Sequence, residues 1–168
     1  MTTEPSAPEV CVRCGTARVD DDPFCENCGH QFGTDDAVPS WQVVITCDRE
    51  YFDRMAPPGV KFPTGACHRV VPLTEREMLI GRRSRSRGTN PAIDCSGPPK
   101  DPAISHRHAV LVRDAEGNYS VCDLGSTNGT RYNDDPKPIP RNMPVPLSEG
   151  DRIYIGAWTS IVFGAARP

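Results

Sequence analysis

Short runs of alternating apolar and polar residues dominate the chain from Trp41 onward. The two clearest runs, 109–113 and 119–123, are separated by a polar turn that contains Gly117. This pattern is typical of a β-hairpin in which each strand buries one face. Comparable runs predict further strands over 41–47, 68–72, 77–80, 147–156 and 159–163. The chain is therefore predicted to form an all-β domain.

Proline and glycine interrupt the segments between these strands. The chain of 168 residues contains 18 prolines and 14 glycines, which favour turns over long helices. Residues 48–66 are predicted to be a loop because prolines break any regular pattern there. The stretch 81–103 is predicted to be a long loop, and 136–146 a proline-rich connection. A loop as long as 81–103 inside a compact domain is usually functional.

Four of the eight cysteines form two Cys-x-x-Cys pairs, and a glycine follows each pair. This spacing fits a tetrahedral zinc site, and so short a segment cannot fold by hydrophobic burial alone. Two unrelated turns or a redox dithiol are weaker interpretations, since no βαβ pattern surrounds the cysteines. The predicted ligands of a structural Zn²⁺ are Cys11, Cys14, Cys25 and Cys28. The single cysteines, interpreted as buried or surface thiols, are Cys47, Cys67, Cys95 and Cys122.

The cysteine-bounded segment resembles the short zinc ribbons at the N-termini of many bacterial proteins, which implies a docking or structural role. The chain is long enough for one ordinary domain and a small accessory unit. We therefore divide it into four parts. These are a disordered tail (1–10), a zinc ribbon (11–32), a linker (33–40) and the main domain (41–168).

Acidic residues are concentrated at the front of the chain. Residues 1–40 hold eight Asp or Glu and two Arg, which leaves 14 of the 22 acidic and 17 of the 19 basic residues for the remainder. Non-specific DNA binding depends on neutralising phosphates, so the acidic front makes nucleic-acid binding an unfavourable interpretation. No apolar run approaches the ~20 residues that cross a bilayer, and the N-terminus lacks the features of a signal peptide. We therefore expect a cytoplasmic protein without membrane contact.

Polar loops flank the predicted hairpin on both sides. The loop 105–108 precedes its first strand, and the loop 125–130, which contains two glycines, follows its second strand. Glycine permits a positive φ, while the hydroxyl and amide side chains of the second loop are free to bind. Two polar loops on neighbouring strands are typical of a binding edge.

Four motifs, in this order, resemble the signature of a forkhead-associated (FHA) domain over roughly residues 41–165. They are Ile80-Gly81-Arg82, Ile104-Ser105-x-x-His108-Ala109, Asp123-Leu124-Gly125-Ser126-Thr127-Asn128-Gly129-Thr130 and Leu147-x-x-Gly150-Asp151-x-Ile153-x-Ile155-Gly156. The resemblance implies a two-sheet β-sandwich of about eleven strands whose loops at one end bind phosphothreonine peptides without catalysis. It also implies threonine-phosphorylated partners, either a Ser/Thr protein kinase or its substrates.

The chemistry of phosphothreonine agrees with the residue types at these positions. Its nearly two negative charges and three acceptor oxygens need a fixed cation and several donors. Arg82 is expected to supply the cation and Ser105 a hydroxyl donor. Thr127 and Asn128 are expected to contact the phosphorylated residue and hold the peptide backbone.

Other residues of the motifs are expected to support the site. By resemblance, Gly81 shapes the loop of the arginine, His108 braces the binding loops from behind, and Gly129 supports the second loop. Each of these residue types also has an ordinary explanation when it is met alone, as a turn or a buried histidine. The remaining basic residues of the 82–87 run are interpreted as solvated charges that help to steer an anion. They are Arg83, Arg85 and Arg87.

His106 is the one departure from the family pattern. Arg, Lys or Asn often follows the serine and contributes to phosphate binding. Histidine side chains and phosphate monoesters both titrate at about pH 6 to 7, so a contact between them depends on pH. We therefore expect His106 to supply a conditional contact to the phosphate.

Together these features favour a phosphothreonine-dependent adaptor in Ser/Thr kinase signalling. Two alternatives stay open. In the first, a tail phosphorylated at Thr2 or Thr3 folds back onto its own site. In the second, the protein is a scaffold that binds unmodified partners through the ribbon. An enzyme is not expected, because no nucleophile is paired with a base and four sulfur ligands leave zinc no open position for water.

Overall fold

The computed structural model describes residues 9–11, 14–32, 41–65 and 67–166. Most of the predicted tail, with Thr2 and Thr3, and the predicted linker lie outside these residues. The strands are β1 (Trp41–Cys47), β2 (His68–Pro72), β3 (Glu77–Gly81), β4 (Ile93–Asp94), β5 (Ala109–Arg113), β6 (Tyr119–Asp123), β7 (Thr130–Tyr132), β8 (Val145–Pro146), β9 (Arg152–Ile155) and β10 (Thr159–Ala165). One helix, α1 (Arg49–Met55), lies between β1 and β2.

The strands form two five-stranded sheets, in the orders β2-β1-β10-β9-β7 and β4-β3-β5-β6-β8. Neighbouring strands pair antiparallel except β3 and β4, which are parallel. The predicted all-β sandwich is confirmed, and its ten strands are close to the expected number. The predicted hairpin corresponds to β5 and β6, where Leu111 lies opposite Val121. No helix in the part of the chain that the structure describes is long and apolar enough to cross a membrane.

The core follows directly from the alternation of the strands. Along both β5 and β6, buried residues alternate with half-buried ones. The inward side chains join one apolar cluster that includes Ile80, Leu111, Val121 and Phe163, each no more than 1% exposed. Burying a side chain of this size contributes about 1.5–3 kcal/mol relative to leaving it exposed. This core fixes the strand ends that carry the polar loops.

Helix α1 contradicts the prediction that residues 48–66 form only a loop. The Asp48 carboxylate caps the helix by accepting a hydrogen bond from the Tyr51 N–H at 2.8 Å. Tyr51 is 1% exposed, stacks on Tyr154 at 4.8 Å and donates its hydroxyl to the carbonyl of Gly156 at 3.0 Å. The prolines that suggested a loop act only beyond the helix end at Met55. Tertiary packing of one tyrosine therefore stabilises a helix that is too short to persist alone.

Candidate functional site

Three polar segments meet at one end of the second sheet. Strand β3 ends where β5 begins and β6 ends, because β5 is antiparallel to both neighbours. The segments that follow β3, precede β5 and follow β6 therefore meet around an open groove of about 630 Å³. The groove is lined by Arg82, Arg87, Thr89, Ser105, His106, Arg107, Gly125 and Thr127.

Four of the predicted ligand-binding residues lie in this groove, namely Arg82, Ser105, His106 and Thr127. Asn128 belongs to the same loop as Thr127 but does not line the groove. Among the described lining residues, three arginines and one histidine are accompanied by no Asp or Glu. The composition of the groove therefore gives it a positive charge, which would attract an anion.

Arg82 is held by the loop that faces it. Its backbone N–H donates to the carbonyl of His106 at 3.2 Å, and its Nε–H donates to the carbonyl of Ile104. The Nε bond uses one of the five guanidinium N–H groups. The half-buried guanidinium is thus oriented at the groove wall before any ligand binds.

Gly81 allows the close approach of two loops that this arrangement requires. A Cβ atom at position 81 would lie 1.9 Å from the carbonyl oxygen of His106. Any side chain at this position would push the loop 104–108 away from β3. Glycine is therefore needed at position 81 because the loop 104–108 approaches the backbone closely there, and not because of an unusual φ angle.

Two hydroxyl groups stand side by side in the groove. The Ser105 Oγ accepts a hydrogen bond from the Thr127 N–H at 3.1 Å and lies 3.5 Å from the Thr127 Oγ1. Behind them the Asn128 side-chain amide donates to the carbonyl of Ala103 at 2.9 Å. Asn128 therefore joins the two polar loops.

His108 lies beneath the groove and bridges its loops. Its side chain is fully buried, its Nδ1 accepts the Ser105 N–H at 3.1 Å, and its Nε2 lies 3.1 Å from the carbonyl of Gly129. These two bonds assign the proton to Nε2 and keep the ring neutral. Burial lowers the pKa of His108, against the opposing effect of the Gly129 carbonyl.

The neutral state of His108 has a consequence for stability. A depressed pKa means that the unfolded chain binds a proton more readily than the folded one, so stability is expected to fall as the pH drops below about 6.5. An NMR titration of the histidine rings tests this directly. We expect the His108 ring to protonate at a lower pH in the folded protein than in the urea-unfolded chain. Equal midpoints in the two states would contradict the assignment.

Asp123 was not predicted to have a role, although it opens one of the motifs. Its carboxylate is 1% exposed and accepts the N–H groups of Gly125 and Ser126 at 2.8 and 2.9 Å. It also accepts the hydroxyls of Ser126 and Thr130, each at 2.6 Å. Burial opposes ionisation, but these hydrogen bonds hold the pKa of Asp123 below its usual value. Asp123 therefore shapes the loop that presents Thr127.

Comparison with known proteins identifies the family. The FHA domain model matches residues 78–156. A protein of Corynebacterium diphtheriae named oxoglutarate dehydrogenase inhibitor is 34% identical over 108 residues, which cover 62% of this chain and 70% of the relative. The chain belongs to the FHA-domain family. A protein of the same name from Corynebacterium jeikeium is 33% identical over 116 residues, covering 67% and 75% of the two chains.

A solved structure extends the comparison to the fold. The FHA domain of an Arabidopsis thaliana hypothetical protein is 26% identical, with a TM-score of 0.50. The match covers 77% of this chain and 88% of that domain. The described sandwich is therefore similar to an FHA domain over nearly all of the latter.

Asp101 is a second buried carboxylate of this FHA domain that the sequence did not reveal. It is 1% exposed, and it accepts the backbone N–H groups of Ala157 and Trp158 at 3.0 and 3.1 Å and the Thr159 hydroxyl at 2.8 Å. It also accepts the N–H of Ala103 at 3.0 Å. Because the other three partners lie more than fifty residues away, no local pattern could have identified it.

Two arginines that were not assigned to the site also line the groove. Arg87 belongs to a tight turn closed by reciprocal backbone hydrogen bonds of 2.9 Å between Ser84 and Thr89, which returns it to the groove. Arg107 comes from the opposite loop. Arg87 was interpreted as a solvated charge. Its side chain is exposed, and it also lines the groove. The turn-forming residues of the segment 84–89 were the sequence signal that could have placed Arg87 at the groove.

The four paired cysteines form a separate cluster. Their sulfur atoms all lie within 4.8 Å of one another, and two of the pairs, Cys11–Cys28 and Cys14–Cys25, lie 3.5 Å apart. A tetrahedral zinc with Zn–S bonds of about 2.3 Å places sulfurs roughly 3.8 Å apart. The cluster is therefore compatible with a four-sulfur zinc site. Glu9 and Val10 precede it and pair with Arg18 and Ala17.

Proposed function

We propose that this FHA protein is a phosphothreonine-dependent adaptor in Ser/Thr kinase signalling and not an enzyme. The observation that carries the proposal is the groove itself. It combines a pre-oriented guanidinium with two adjacent hydroxyls and has no carboxylate among its described lining residues. FHA domains are phosphothreonine-binding modules, and a phosphate needs this combination of a fixed cation and several donors.

The proposed roles follow the geometry of the ligand-free groove. Arg82 pairs with the phosphate, Ser105 donates its hydroxyl, and Thr127 contacts the phosphorylated residue. Asn128 holds the peptide backbone, which requires its amide to exchange the carbonyl of Ala103 for one of the peptide. His108 acts on the ligand only by holding the loop ends of Ser105 and Gly129.

A phosphopeptide library tests the proposal. We expect selective capture of peptides that contain phosphothreonine, with little binding of their unphosphorylated or phosphoserine counterparts. The matched control is the same library after phosphatase treatment. Equal capture before and after phosphatase would exclude the adaptor and would favour a scaffold that binds unmodified partners.

His106 is proposed to supply a contact that depends on pH. Its Nδ1 lies 3.1 Å from the carbonyl of Arg82, which places the ring on the groove wall beside the phosphate-binding arginine. A protonated ring attracts the phosphate, so the ratio of wild-type to His106→Ala affinity should rise about threefold or more between about pH 8 and pH 6. Phosphopeptide affinity measured for both proteins across this range gives the ratio. Parallel pH profiles would show that His106 makes no such contact.

The cysteine cluster is proposed to hold a structural Zn²⁺ in a ribbon over residues 11–32, joined by the linker 33–40 to the FHA domain. Cys11, Cys14, Cys25 and Cys28 would bind the ion, which would supply the folding free energy that so short a segment lacks.

Chelation of the metal is expected to unfold the ribbon selectively. The amide NMR signals of residues 14–32 should collapse to random-coil positions, while those of β1 to β10 keep their dispersion. Metal analysis should find one zinc per chain in the wild type and in Cys122→Ser, but much less in Cys25→Ser. An unchanged ribbon spectrum after complete removal of metal would contradict a structural zinc.

The names of the relatives favour a second candidate function, the inhibition of an oxoglutarate dehydrogenase. The observation behind it is the 34% identity to the Corynebacterium diphtheriae inhibitor. This candidate is tested by measuring the activity of the oxoglutarate dehydrogenase from the organism that produces this protein, with and without the purified protein. Unchanged activity at a large excess of the protein would exclude this candidate.

A further inference from the structure

The single cysteines are not scattered in space. Cys67 and Cys95 line one cavity of about 200 Å³ together with Asp101 and Thr159. Cys47, at the end of β1, lies near Cys67, because the adjacent residues Thr46 and His68 are paired across β1 and β2. Three cysteines that are 20 and 28 positions apart along the chain therefore converge at one place, outside both the ribbon and the groove.

The register of the first sheet places two of these cysteines opposite each other. Strands β1 and β2 pair antiparallel, with Thr46 opposite His68. One further step along both chains puts Cys47 opposite Cys67. At the other end of the ladder the Leu73 N–H donates to the Trp41 carbonyl at 2.8 Å, which marks Trp41 and Leu73 as a hydrogen-bonded pair.

The type of pair determines whether the two cysteines can be linked. Hydrogen-bonded and non-hydrogen-bonded pairs alternate along an antiparallel ladder, and Cys47 lies an even number of residues from Trp41. The Cys47–Cys67 pair is therefore of the hydrogen-bonded type, in which Cα atoms are about 5.5 Å apart. Disulfides span Cα separations of about 4.4–6.8 Å, which includes this value, but they bring the Cβ atoms to about 3.5–4.5 Å, so the edge strand must shift slightly toward β1 as the bond forms.

The two thiols differ in access. Both cysteines are half-buried, but only Cys67 lines the cavity. Burial and then the hydrogen bond to Cys67 raise the pKa of Cys47 to about 12, so Cys47 stays protonated near neutral pH. Cys67 is therefore the group that meets a reagent first, with Cys47 behind it as the resolving thiol.

We propose that Cys47 and Cys67 form a reversible disulfide by exchange with a low-molecular-weight disulfide. The Cys67 thiolate attacks one sulfur of the reagent RSSR, the reagent's S–S bond breaks, and one equivalent of RSH leaves. The Cys47 sulfur, after giving its proton to water, attacks the Cys67 sulfur of the mixed disulfide and expels a second RSH. Two protein thiols are oxidised to one disulfide, and one RSSR is reduced to two RSH.

The position of the bond gives it a structural effect. Strand β2 is the outermost strand of its sheet and pairs there with β1, and three of its residues, His68 to Val70, are exposed. A Cys47–Cys67 bond would fasten this edge strand and close the loop that carries α1. Closing a loop of about 20 residues lowers the entropy of the unfolded chain, which stabilises the folded protein.

Peptide mapping of the full-length protein tests the inference. The protein, supplied with zinc so that the ribbon thiols stay occupied, is equilibrated with graded ratios of reduced and oxidised glutathione. Free thiols are alkylated, and the non-reduced digest is analysed by mass spectrometry. We expect a linked peptide pair that contains Cys47 and Cys67 and disappears with dithiothreitol. The thermal midpoint should rise by roughly 5–10 °C on oxidation.

Two variants separate this bond from general oxidation. Cys122→Ser, which removes a half-buried cysteine of β6, should form the Cys47–Cys67 link as the wild type does. Cys67→Ser should show neither the link nor the rise in thermal midpoint. Linkage of Cys67 to Cys95, or a stable glutathione adduct on Cys67 without any protein disulfide, would overturn the proposal.

Discussion

Replacing Arg82 by alanine is expected to weaken phosphothreonine-peptide binding by at least about 25-fold. Truncating one partner of a desolvated charge pair costs about 2–5 kcal/mol, and each 1.4 kcal/mol is tenfold in affinity. Arg82 is half-buried, and its Nε–H bond to Ile104 aims the guanidinium at the groove. The phosphate would therefore lose a cation that was already in position. Isothermal calorimetry with one phosphothreonine peptide measures the loss.

Matched variants distinguish the loss of this contact from a general loss of charge. Arg85→Ala removes the same charge from the neighbouring turn, where the side chain does not line the groove, and should weaken binding only slightly. Arg82→Lys keeps the charge but loses the planar fork, so its affinity should be intermediate. Undiminished binding by Arg82→Ala, in a protein with an unchanged thermal midpoint, would refute the proposed adaptor function.

The two added arginines give the groove more positive charge than one phosphate needs. Arg87 and Arg107 face the same space from opposite loops. Such exposed charges act over several ångströms and chiefly raise the rate of association, whereas Arg82 is proposed to hold the bound phosphate. Their contribution should therefore fall with rising salt, while that of Arg82 persists.

Local patterns were enough to predict β3, β5 and β6 of the second sheet and the polar loops beside them. The short edge strands β4 and β8 were wrongly predicted as parts of the loop 81–103 and of the connection 136–146. The alternation of buried and half-buried residues in β5 and β6 follows directly from the sequence, since every second side chain of a strand lies on the same face. Gly81 was predicted from the resemblance to shape its loop, but a physical reason for glycine there, the clash of a Cβ with the His106 carbonyl, is visible only in the folded chain.

Features that depend on distant partners could not be predicted. Helix α1 is stabilised by the contact between Tyr51 and Tyr154, which lie on segments that are far apart in sequence. Convergence of Cys47, Cys67 and Cys95 likewise arises from sheet register and not from spacing. In each case the deciding interaction is tertiary, and single-sequence propensity carries no information about it.

Asp101→Ala is expected to lower the free energy of unfolding by about 3–5 kcal/mol, since each buried donor left without an acceptor costs about 1–3 kcal/mol. The substitution would strand the N–H groups of Ala103, Ala157 and Trp158 and the hydroxyl of Thr159. Asp101→Asn keeps one carbonyl acceptor and should lose less. Urea denaturation of both variants, with exposed Asp134→Ala as the control, measures the difference.

Asp101→Ala should also weaken phosphopeptide binding in the groove. This effect would distinguish Asp101 from a residue that only stabilises the core. Asp101 fixes the N–H of Ala103, and the carbonyl of Ala103 accepts the side-chain amide of Asn128. Loss of the carboxylate would loosen both polar loops at once, so Asp101→Ala should bind phosphopeptide more weakly even at temperatures where it is fully folded. An unchanged affinity in the folded variant would show that Asp101 stabilises the sandwich without positioning the binding loops.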